Sequence, residues 1–191
     1  METPSRPPNK PGDQLVRTPL DQLAPRDAGW RSPPGPSSPG RTFASASIAD
    51  FELLEKLGKG NCGTVHKARR RADDHIYVIK QIDTVALHPE MLQQAVVEAQ
   101  VLAALDNRYI IQYCDSFVDE DQLNIVMEFA SAGNLNDVIE RGKLSGTQLS
   151  ENAIWRYLIQ LMLGLQHIHN KKIVHRDIKT LNIFLADEGN P

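Results

Sequence analysis

The sequence is short of cysteine, of net charge and of long apolar runs. It has two cysteines in 191 residues, Cys62 and Cys114, which offer no disulfide framework and favour a reducing compartment. The formal net charge of −3 provides no broad basic field, which argues against nucleic acid or a membrane surface as a partner. No apolar run approaches the ~20 residues of a membrane span, and the N-terminus lacks the apolar region of a signal peptide. We therefore expect a soluble, cytoplasmic protein.

Proline is scarce after residue 47, because ten of the twelve prolines lie in residues 1–47. That segment has few apolar side chains to offset the entropy of ordering, which is typical of a disordered tail. We predict a disordered Pro/Ser-rich tail over residues 1–47 and a folded domain over residues 48–191. Four residues of the tail precede a proline and are candidate targets of proline-directed kinases, the alternative being an inert tail: Thr3, Thr18, Ser32 and Ser38.

A glycine-rich stretch follows the first predicted strand. Gly58, Gly60 and Gly63 would let the backbone of a hairpin lie against phosphate groups, because no Cβ blocks the approach. The G-x-G-x-x-G spacing alone fits a dinucleotide-binding turn equally well. In that fold a helix would open within the motif, whereas residues 65–69 continue here as a second strand.

One lysine stands in the apolar strand predicted over residues 76–82. Lys80 needs a carboxylate partner, because a buried unpaired charge is costly. The next segment, residues 89–105, has apolar residues at helical spacing, and Glu98 lies beside that stripe, 18 residues after Lys80. This helix can supply the carboxylate, and Glu98 is a candidate; the alternative is a solvated glutamate on the helix surface.

Two more strands are predicted over residues 110–117 and 123–128, with residues 119–121 as the turn between them. A long helix is predicted from its cap at Ser150 to about Asn170, because apolar residues step along it by four, three, four and three. The apolar face of this helix is expected to include Leu158, Leu161 and Leu165.

The octet from His175 to Asn182 is the most informative stretch of the chain. It places a carboxylate at Asp177, an ammonium group at Lys179 and a carboxamide at Asn182. The apolar residues on both sides predict a tight loop between two short strands, with the three polar groups facing one pocket. There the carboxylate can accept the proton of an attacking hydroxyl, the ammonium can neutralise a phosphoryl group in transit, and the amide oxygen suits Mg²⁺. The simpler alternative is a surface Asp-Lys pair in a turn.

The octet resembles the catalytic loop of eukaryotic protein kinases, whose signature is H-R-D-L-x-x-x-N. A lysine two residues after the aspartate, here Lys179, resembles the pattern of the serine/threonine branch. The sequence HRDIKTLNIFL resembles the NIMA-related (Nek) kinases. Val65, two residues after the third glycine, also matches the kinase form of the glycine motif. The resemblance covers about residues 51–190.

This resemblance implies an α+β fold with the two lobes of a protein kinase. The N-lobe, a five-stranded antiparallel sheet with helix αC, would span about residues 51–129, and the start of the helical C-lobe about residues 130–191. The D-F-G segment, the activation loop and the A-P-E segment would lie beyond Pro191. We therefore expect residues 48–191 to be a partial kinase domain with little or no activity by itself.

The implied function is transfer of the ATP γ-phosphoryl group to serine or threonine hydroxyls of protein substrates, with ATP and Mg²⁺ as cofactors. Asp177 and Lys179 would be catalytic and Asn182 a metal ligand. The resemblance also implies a set of nucleotide-binding positions: Leu57, Gly58, Lys59, Gly60, Asn61, Cys62, Gly63, Thr64, Val65, Lys80, Glu98, Glu128, Ala130 and Phe184.

Particular roles follow for some of these positions. Leu57 and Val65 would pack on the adenine. Lys80 would contact the α- and β-phosphates, with Glu98 of helix αC as its ion-pair partner. The Glu128 carbonyl and Ala130 amide would bond the adenine edge.

Two departures from the family pattern are Val78, where V-A-I-K has alanine, and Asn134, where relatives often have aspartate. A second class of function stays open: a nucleotide-binding or kinase-interacting fragment without phosphotransfer activity. The complete set of charged and amide positions favours the kinase. Family analogy alone implies cytoskeletal, centrosomal or ciliary partners and an association with the cytoskeleton.

Overall fold

A computed structural model describes residues 47–60 and 63–186 of the chain. The predicted tail therefore lies outside the described residues, except for Ser47. Five strands are formed within them: β1 Phe51–Gly60, β2 Gly63–Arg70, β3 Ile76–Asp83, β4 Tyr113–Asp119 and β5 Gln122–Glu128. The described residues also contain three α-helices, α1 Pro89–Ala103, α2 Leu135–Ser145 and α3 Glu151–Asn170. Two short 3-10 helices span Ile48–Asp50 and Thr180–Asn182.

The five strands form one antiparallel sheet in the order β1-β2-β3-β5-β4. One face of the sheet carries a cluster of buried side chains: Phe51, Ala68, Tyr77, Ile79, Phe117 and Val126. The ring of Phe51 stacks on Phe117 and meets Tyr77 edge to face, both at 6.2 Å between ring centroids. The predicted five-stranded antiparallel sheet is confirmed.

Helix α1 lies over the other face of the sheet. Successive strand residues alternate between faces, so Lys80 and Ile82 lie opposite the face that holds Tyr77 and Ile79. Pro89 occupies the first turn of α1, as the sequence predicts. The side chains that α1 buries are small: Ala95, Val96, Ala99 and Ala103. Small residues let the helix approach the sheet closely enough for its glutamate to reach Lys80.

Helix α2 has no counterpart in the sequence predictions. The predictions leave out a helix signal at its start, where apolar residues recur at helical spacing: Leu135, Val138 and Ile139. Its ends also have clear markers. Asn134 and Asp137 form a reciprocal capping box at the start, and Gly146 follows the last turn with a left-handed φ of 68°.

Helix α3 begins after its predicted cap, since the Ser150 side chain accepts a hydrogen bond from the Ala153 amide. Gly164 and Ile168 are its buried residues, and a Cβ on Gly164 would lie 3.1 Å from the Tyr109 carbonyl oxygen. Of the three leucines expected on its apolar face, Leu158 is exposed, whereas Leu161 and Leu165 are half-buried. The exposed apolar face lies on the far side from Gly164 and consists of Ile154, Trp155, Leu158, Ile159, Met162 and Leu163.

Two strand predictions need correction. Strand β4 begins at Tyr113 rather than at residue 110, after a turn whose Ile110 amide bonds the Asn107 carbonyl. The two short strands expected around the octet are absent from the described residues. Lys172 and Arg176 have left-handed φ angles of 62° and 66°, which turn the chain away from an extended path.

No helix within residues 47–60 and 63–186 combines the length and the apolar character needed to cross a bilayer.

Candidate active site

The glycine-rich stretch forms the end of the β1–β2 hairpin. Gly60 is paired with Gly63, and β2 runs on from Gly63 as a strand, so the helix required by a dinucleotide-binding turn does not form there. A Cβ on Gly58 would meet no atom within 4 Å, and one on Gly60 would meet only the Gly63 carbonyl oxygen at 3.9 Å. The backbone on this side of the hairpin is therefore open to a ligand. The tip residues Asn61 and Cys62 lie outside the described residues.

Gly63 has a different role from the other two glycines. A Cβ at this position would clash with the Gln81 carbonyl oxygen and would lie 3.0 Å from Ile82 Cγ1. Its missing side chain is needed for the close contact between β2 and β3. The glycines of the motif thus divide into two that leave space open and one that permits packing.

Lys80 and Glu98 form the ion pair that the sequence predicts. The Lys80 ammonium donates hydrogen bonds to both oxygens of the Glu98 carboxylate, at 2.8 and 3.0 Å. The lysine side chain is 18% exposed and that of the glutamate 59%. Strand β3 and helix α1 together hold a cation at the sheet surface, where a phosphate group can reach it.

The octet brings Asp177, Lys179 and Asn182 together, as predicted. The Lys179 ammonium and the Asn182 amide nitrogen each donate a hydrogen bond to Asp177 Oδ2, at 2.8 Å. The same Asn182 nitrogen donates to the Asp177 backbone carbonyl at 2.9 Å, and the Asp177 amide donates to His175 Nδ1 at 3.3 Å. These bonds fix one carboxylate oxygen, and they involve neither Asp177 Oδ1 nor the Asn182 amide oxygen.

The electrostatics of this loop keep the carboxylate ionised. The hydrogen bond from Lys179, followed by the one from Asn182, lowers the pKa of Asp177 below its ordinary value of 3.8. Asp177 is exposed, so an attacking hydroxyl can approach it from solvent. The loop therefore offers an anionic acceptor beside a cation.

The segment after the loop is fastened to the start of α2. The Leu135 amide donates to the Ile183 carbonyl, and the Leu185 amide donates to the Gly133 carbonyl, both at 2.8 Å. Phe184 forms a single antiparallel bridge with Asn134. The sequence predicts two short strands on either side of the octet, but Phe184 instead pairs with Asn134, the residue before α2.

Thr180 and Asn136, to which the sequence analysis assigned no role, also belong to this arrangement. The Thr180 hydroxyl donates to the Asn136 amide oxygen at 3.2 Å, which ties the residue after Lys179 to the first turn of α2. The capping pattern of Asn134 and Asp137 was the available signal for that turn.

The remaining predicted nucleotide positions lie around the hairpin and at the exit of β5. Leu57 and Phe184 are exposed, Val65 is half-buried, and Lys59 pairs with Thr64 across the hairpin. The Glu128 carboxylate accepts a hydrogen bond from the Gln112 amide at 2.9 Å, and Ala130 follows it in the connection to α2. Their roles toward a nucleotide stay predictions.

The site thus has two clusters, Lys80 with Glu98 and Asp177 with Lys179 and Asn182. Among the described residues, no hydrogen bond or ion pair joins one cluster to the other. Open glycine backbone, a held lysine and an amide oxygen are a donor set that fits ATP and Mg²⁺. In residues 47–60 and 63–186, no three His, Cys, Asp or Glu side chains gather as a metal cluster.

The five-stranded antiparallel sheet with its helices is consistent with the N-lobe and the start of the C-lobe of a protein kinase. The family model described as protein kinase domain matches residues 51–191. The chain therefore belongs to the protein kinase family, and it covers part of the kinase domain. Members of that family use ATP and Mg²⁺.

Several similar curated proteins are named serine/threonine-protein kinases of the Nek type, which confirms the predicted resemblance. Human serine/threonine-protein kinase Nek11 is 38% identical over 152 residues, covering 76% of this chain and 23% of Nek11. The probable serine/threonine-protein kinase nek2 of Dictyostelium discoideum is 37% identical over 145 residues, covering 73% of this chain and 35% of that protein. Serine/threonine-protein kinase Nek8 of Danio rerio is 38% identical over 135 residues, covering 71% of this chain and 19% of Nek8. The chain thus spans about a third or less of the length of these relatives.

Proposed function

We propose that the chain provides the ATP-binding lobe and the catalytic loop of an ATP-dependent protein serine/threonine kinase. The observation that carries this proposal is the contact of Asp177 with both Lys179 and Asn182 at 2.8 Å. A carboxylate, an ammonium group and an amide oxygen within one loop match the needs of phosphoryl transfer to a hydroxyl. Bound Mg²⁺·ATP would supply the transferable phosphoryl group.

Each protein group then has a defined task. Asp177 Oδ1 orients the substrate hydroxyl and accepts its proton, while Oδ2 stays anchored by Lys179 and Asn182. Lys179 would offset negative charge near the acceptor, and Lys80, held by Glu98, would bind the α- and β-phosphates. Gly58 and Gly60 would let the hairpin backbone cover the phosphates, and the Asn182 amide oxygen would be a metal ligand.

Phosphotransfer is tested on a protein in which residues 1–191 continue into the remaining segments of a kinase domain. With Mg²⁺ and γ-labelled ATP, we expect labelled phosphoserine or phosphothreonine in a generic protein substrate such as casein, and none after chelation of Mg²⁺. Nucleotide binding without any label in the substrate would instead favour the alternative function, a nucleotide-binding fragment without phosphotransfer.

For location and partners we propose the cytoplasm and an association with cytoskeletal, centrosomal or ciliary proteins. Support comes from the near-neutral charge, the low cysteine content and the Nek resemblance. Proximity labelling with the tagged chain in cells tests this proposal. Enrichment of these protein classes over a tagged control supports it, and an unenriched background contradicts it.

A further inference from the structure

Residues 47–50 dock against the sheet through one carboxylate at the end of β4. The Ser47 hydroxyl donates a hydrogen bond to Asp119 Oδ2 at 2.7 Å, and the Ile48 amide donates to the same oxygen at 2.9 Å. Ile48 packs against the buried cluster that contains Phe51, and Arg71 Nε donates to the Ala49 carbonyl at 3.2 Å. We call this arrangement of residues 47–50 on Asp119 the N-terminal latch.

The latch depends on a hydroxyl proton at Ser47. Asp119 is acceptor-only when ionised, and the two bonds from Ser47 and Ile48 lower the pKa of its carboxyl below the ordinary value. A negative group on Ser47 Oγ would therefore face an ionised carboxylate from within hydrogen-bond distance. Like charges this close repel strongly near a protein surface.

Ser47 also has a sequence context that sets it apart from the other hydroxyl residues in the described part of the chain. An acidic residue follows three positions later for two of them, Ser47 before Asp50 and Ser116 before Asp119. Ser116 is 1% exposed and its hydroxyl is bonded to Tyr113, whereas Ser47 is half-buried at the surface. Glu52, five residues after Ser47, adds a second carboxylate on the C-terminal side of the serine.

We propose that Ser47 is a phosphorylation site for an acidophilic protein serine kinase, and that its phosphorylation releases the N-terminal latch. The Ser47 hydroxyl oxygen attacks the γ-phosphorus of ATP bound by that kinase. The new O–P bond replaces the bond to ADP, ADP leaves, and the hydroxyl proton passes to a base of the modifying enzyme. The phosphate carries about −1.5 to −2 charge at neutral pH, so redocking against Asp119 is opposed.

The test uses the full 191-residue chain, Mg²⁺·ATP and a purified acidophilic kinase, with mass spectrometry to locate the phosphate. We expect phosphate on Ser47 and none at this position in Ser47→Ala. Asp50→Asn removes the recognition charge, while the amide oxygen of the asparagine can still accept the 2.9 Å bond from the Ser47 amide. A slower modification of Asp50→Asn thus reports recognition of the carboxylate rather than a change in the latch.

The second readout is hydrogen exchange at the Ile48 and Arg71 amides, because the Arg71 amide bonds the Asp50 carbonyl at 2.9 Å. Phosphorylation should speed exchange at both amides by roughly tenfold or more. Asp119→Asn removes the opposing charge, and in that variant phosphorylation should change exchange far less. Failure to modify Ser47 in the folded chain would overturn the proposal. Unchanged or slower exchange after modification would do so equally.

Discussion

At the scale of single residues, the site is organised by two lysines that each lie 2.8 Å from a carboxylate oxygen. Their surroundings differ: Lys80 is mostly covered by the sheet and α1, while Lys179 is exposed in the loop. A covered cation is held in one place and suits a fixed phosphate contact. An exposed cation beside the Asp177 carboxylate lowers the pKa of that carboxyl.

The first residue-scale prediction concerns Lys80 and uses the 191-residue chain. Lys80→Met removes a charge-assisted contact to the phosphates and leaves Glu98 without its cation. We expect ATP affinity, measured by calorimetric titration in the presence of Mg²⁺, to fall by roughly tenfold or more. Lys143→Met is the matched control, because Lys143 bonds Glu140 at the same 2.8 Å on α2. Equal affinities in the two variants would contradict the assigned role of Lys80.

The second residue-scale prediction concerns the charge of Asp177. A lowered folded-state pKa means that this carboxyl stays ionised as the pH falls through 3.8 and becomes protonated only below that value. Lys179→Met removes the largest cause, so the titration midpoint should rise. Carbon-13 NMR of the Asp177 carboxyl measures it directly, with Lys143→Met as control. A midpoint that does not move would show that Lys179 leaves the carboxylate unaffected.

At the scale of secondary structure, the glycine hairpin combines packing and binding in one motif. Sequence spacing predicts the hairpin but cannot tell which glycine serves which purpose. That distinction depends on the backbone of β3, which approaches Gly63 and leaves Gly58 open.

The element-scale prediction separates the two roles by substitution with alanine. Gly63→Ala puts a Cβ against the Gln81 carbonyl, so the free energy of unfolding should fall by about 1–3 kcal/mol. Gly58→Ala meets no neighbouring atom, so thermal stability should be nearly unchanged while nucleotide affinity decreases. Thermal unfolding and ATP titration of both variants provide the measurement. A stability loss in Gly58→Ala equal to that in Gly63→Ala would contradict this division.

Prediction from sequence succeeded for elements with a strong periodic or pairwise signal. The strands, α1 and the start of α3 follow from apolar spacing, and the covered charge of Lys80 calls for a carboxylate partner. The arrangement of the strands in one sheet, and Glu98 as that partner, follow from the family resemblance. Helix α2 was missed although its apolar residues recur at helical spacing and its ends are marked by Asn134, Asp137 and Gly146. The strands around the octet failed because Phe184 pairs with Asn134, a partner 50 residues away that local pattern cannot reveal.

At the scale of the whole molecule, α3 leaves a continuous apolar face without cover among the described residues. Trp155, Ile159 and Met162 are each more than half exposed. Burying one such side chain is worth ~1.5–3 kcal/mol, against a total domain stability of ~5–15 kcal/mol. Exposed apolar surface of this kind favours association with another apolar surface.

We accordingly predict that the 191-residue chain associates in solution and that Ile159→Glu increases its monomeric fraction. Gln160→Glu is the control, since it adds the same charge on the same helix but away from the apolar face. Sedimentation velocity at matched concentrations gives both results. A parent chain that is already monomeric and melts cooperatively would contradict the expectation.

The assignment of the catalytic loop is the step on which the proposed function rests. Asp177→Asn keeps the size and polarity of the side chain but removes the group that accepts the hydroxyl proton. Asp74→Asn is a suitable control, because Asp74 is an exposed aspartate in a turn with a φ of 56°, which asparagine also tolerates.

The most direct test is single-turnover phosphoryl transfer by Asp177→Asn in the protein extended through the rest of a kinase domain, with ATP affinity measured alongside. We expect ATP affinity within a few-fold of the parent and a transfer rate lower by ~10²-fold or more. Asp74→Asn should match the parent in both quantities. Transfer by Asp177→Asn at close to the parent rate would contradict the catalytic role of the loop and favour a nucleotide-binding function instead.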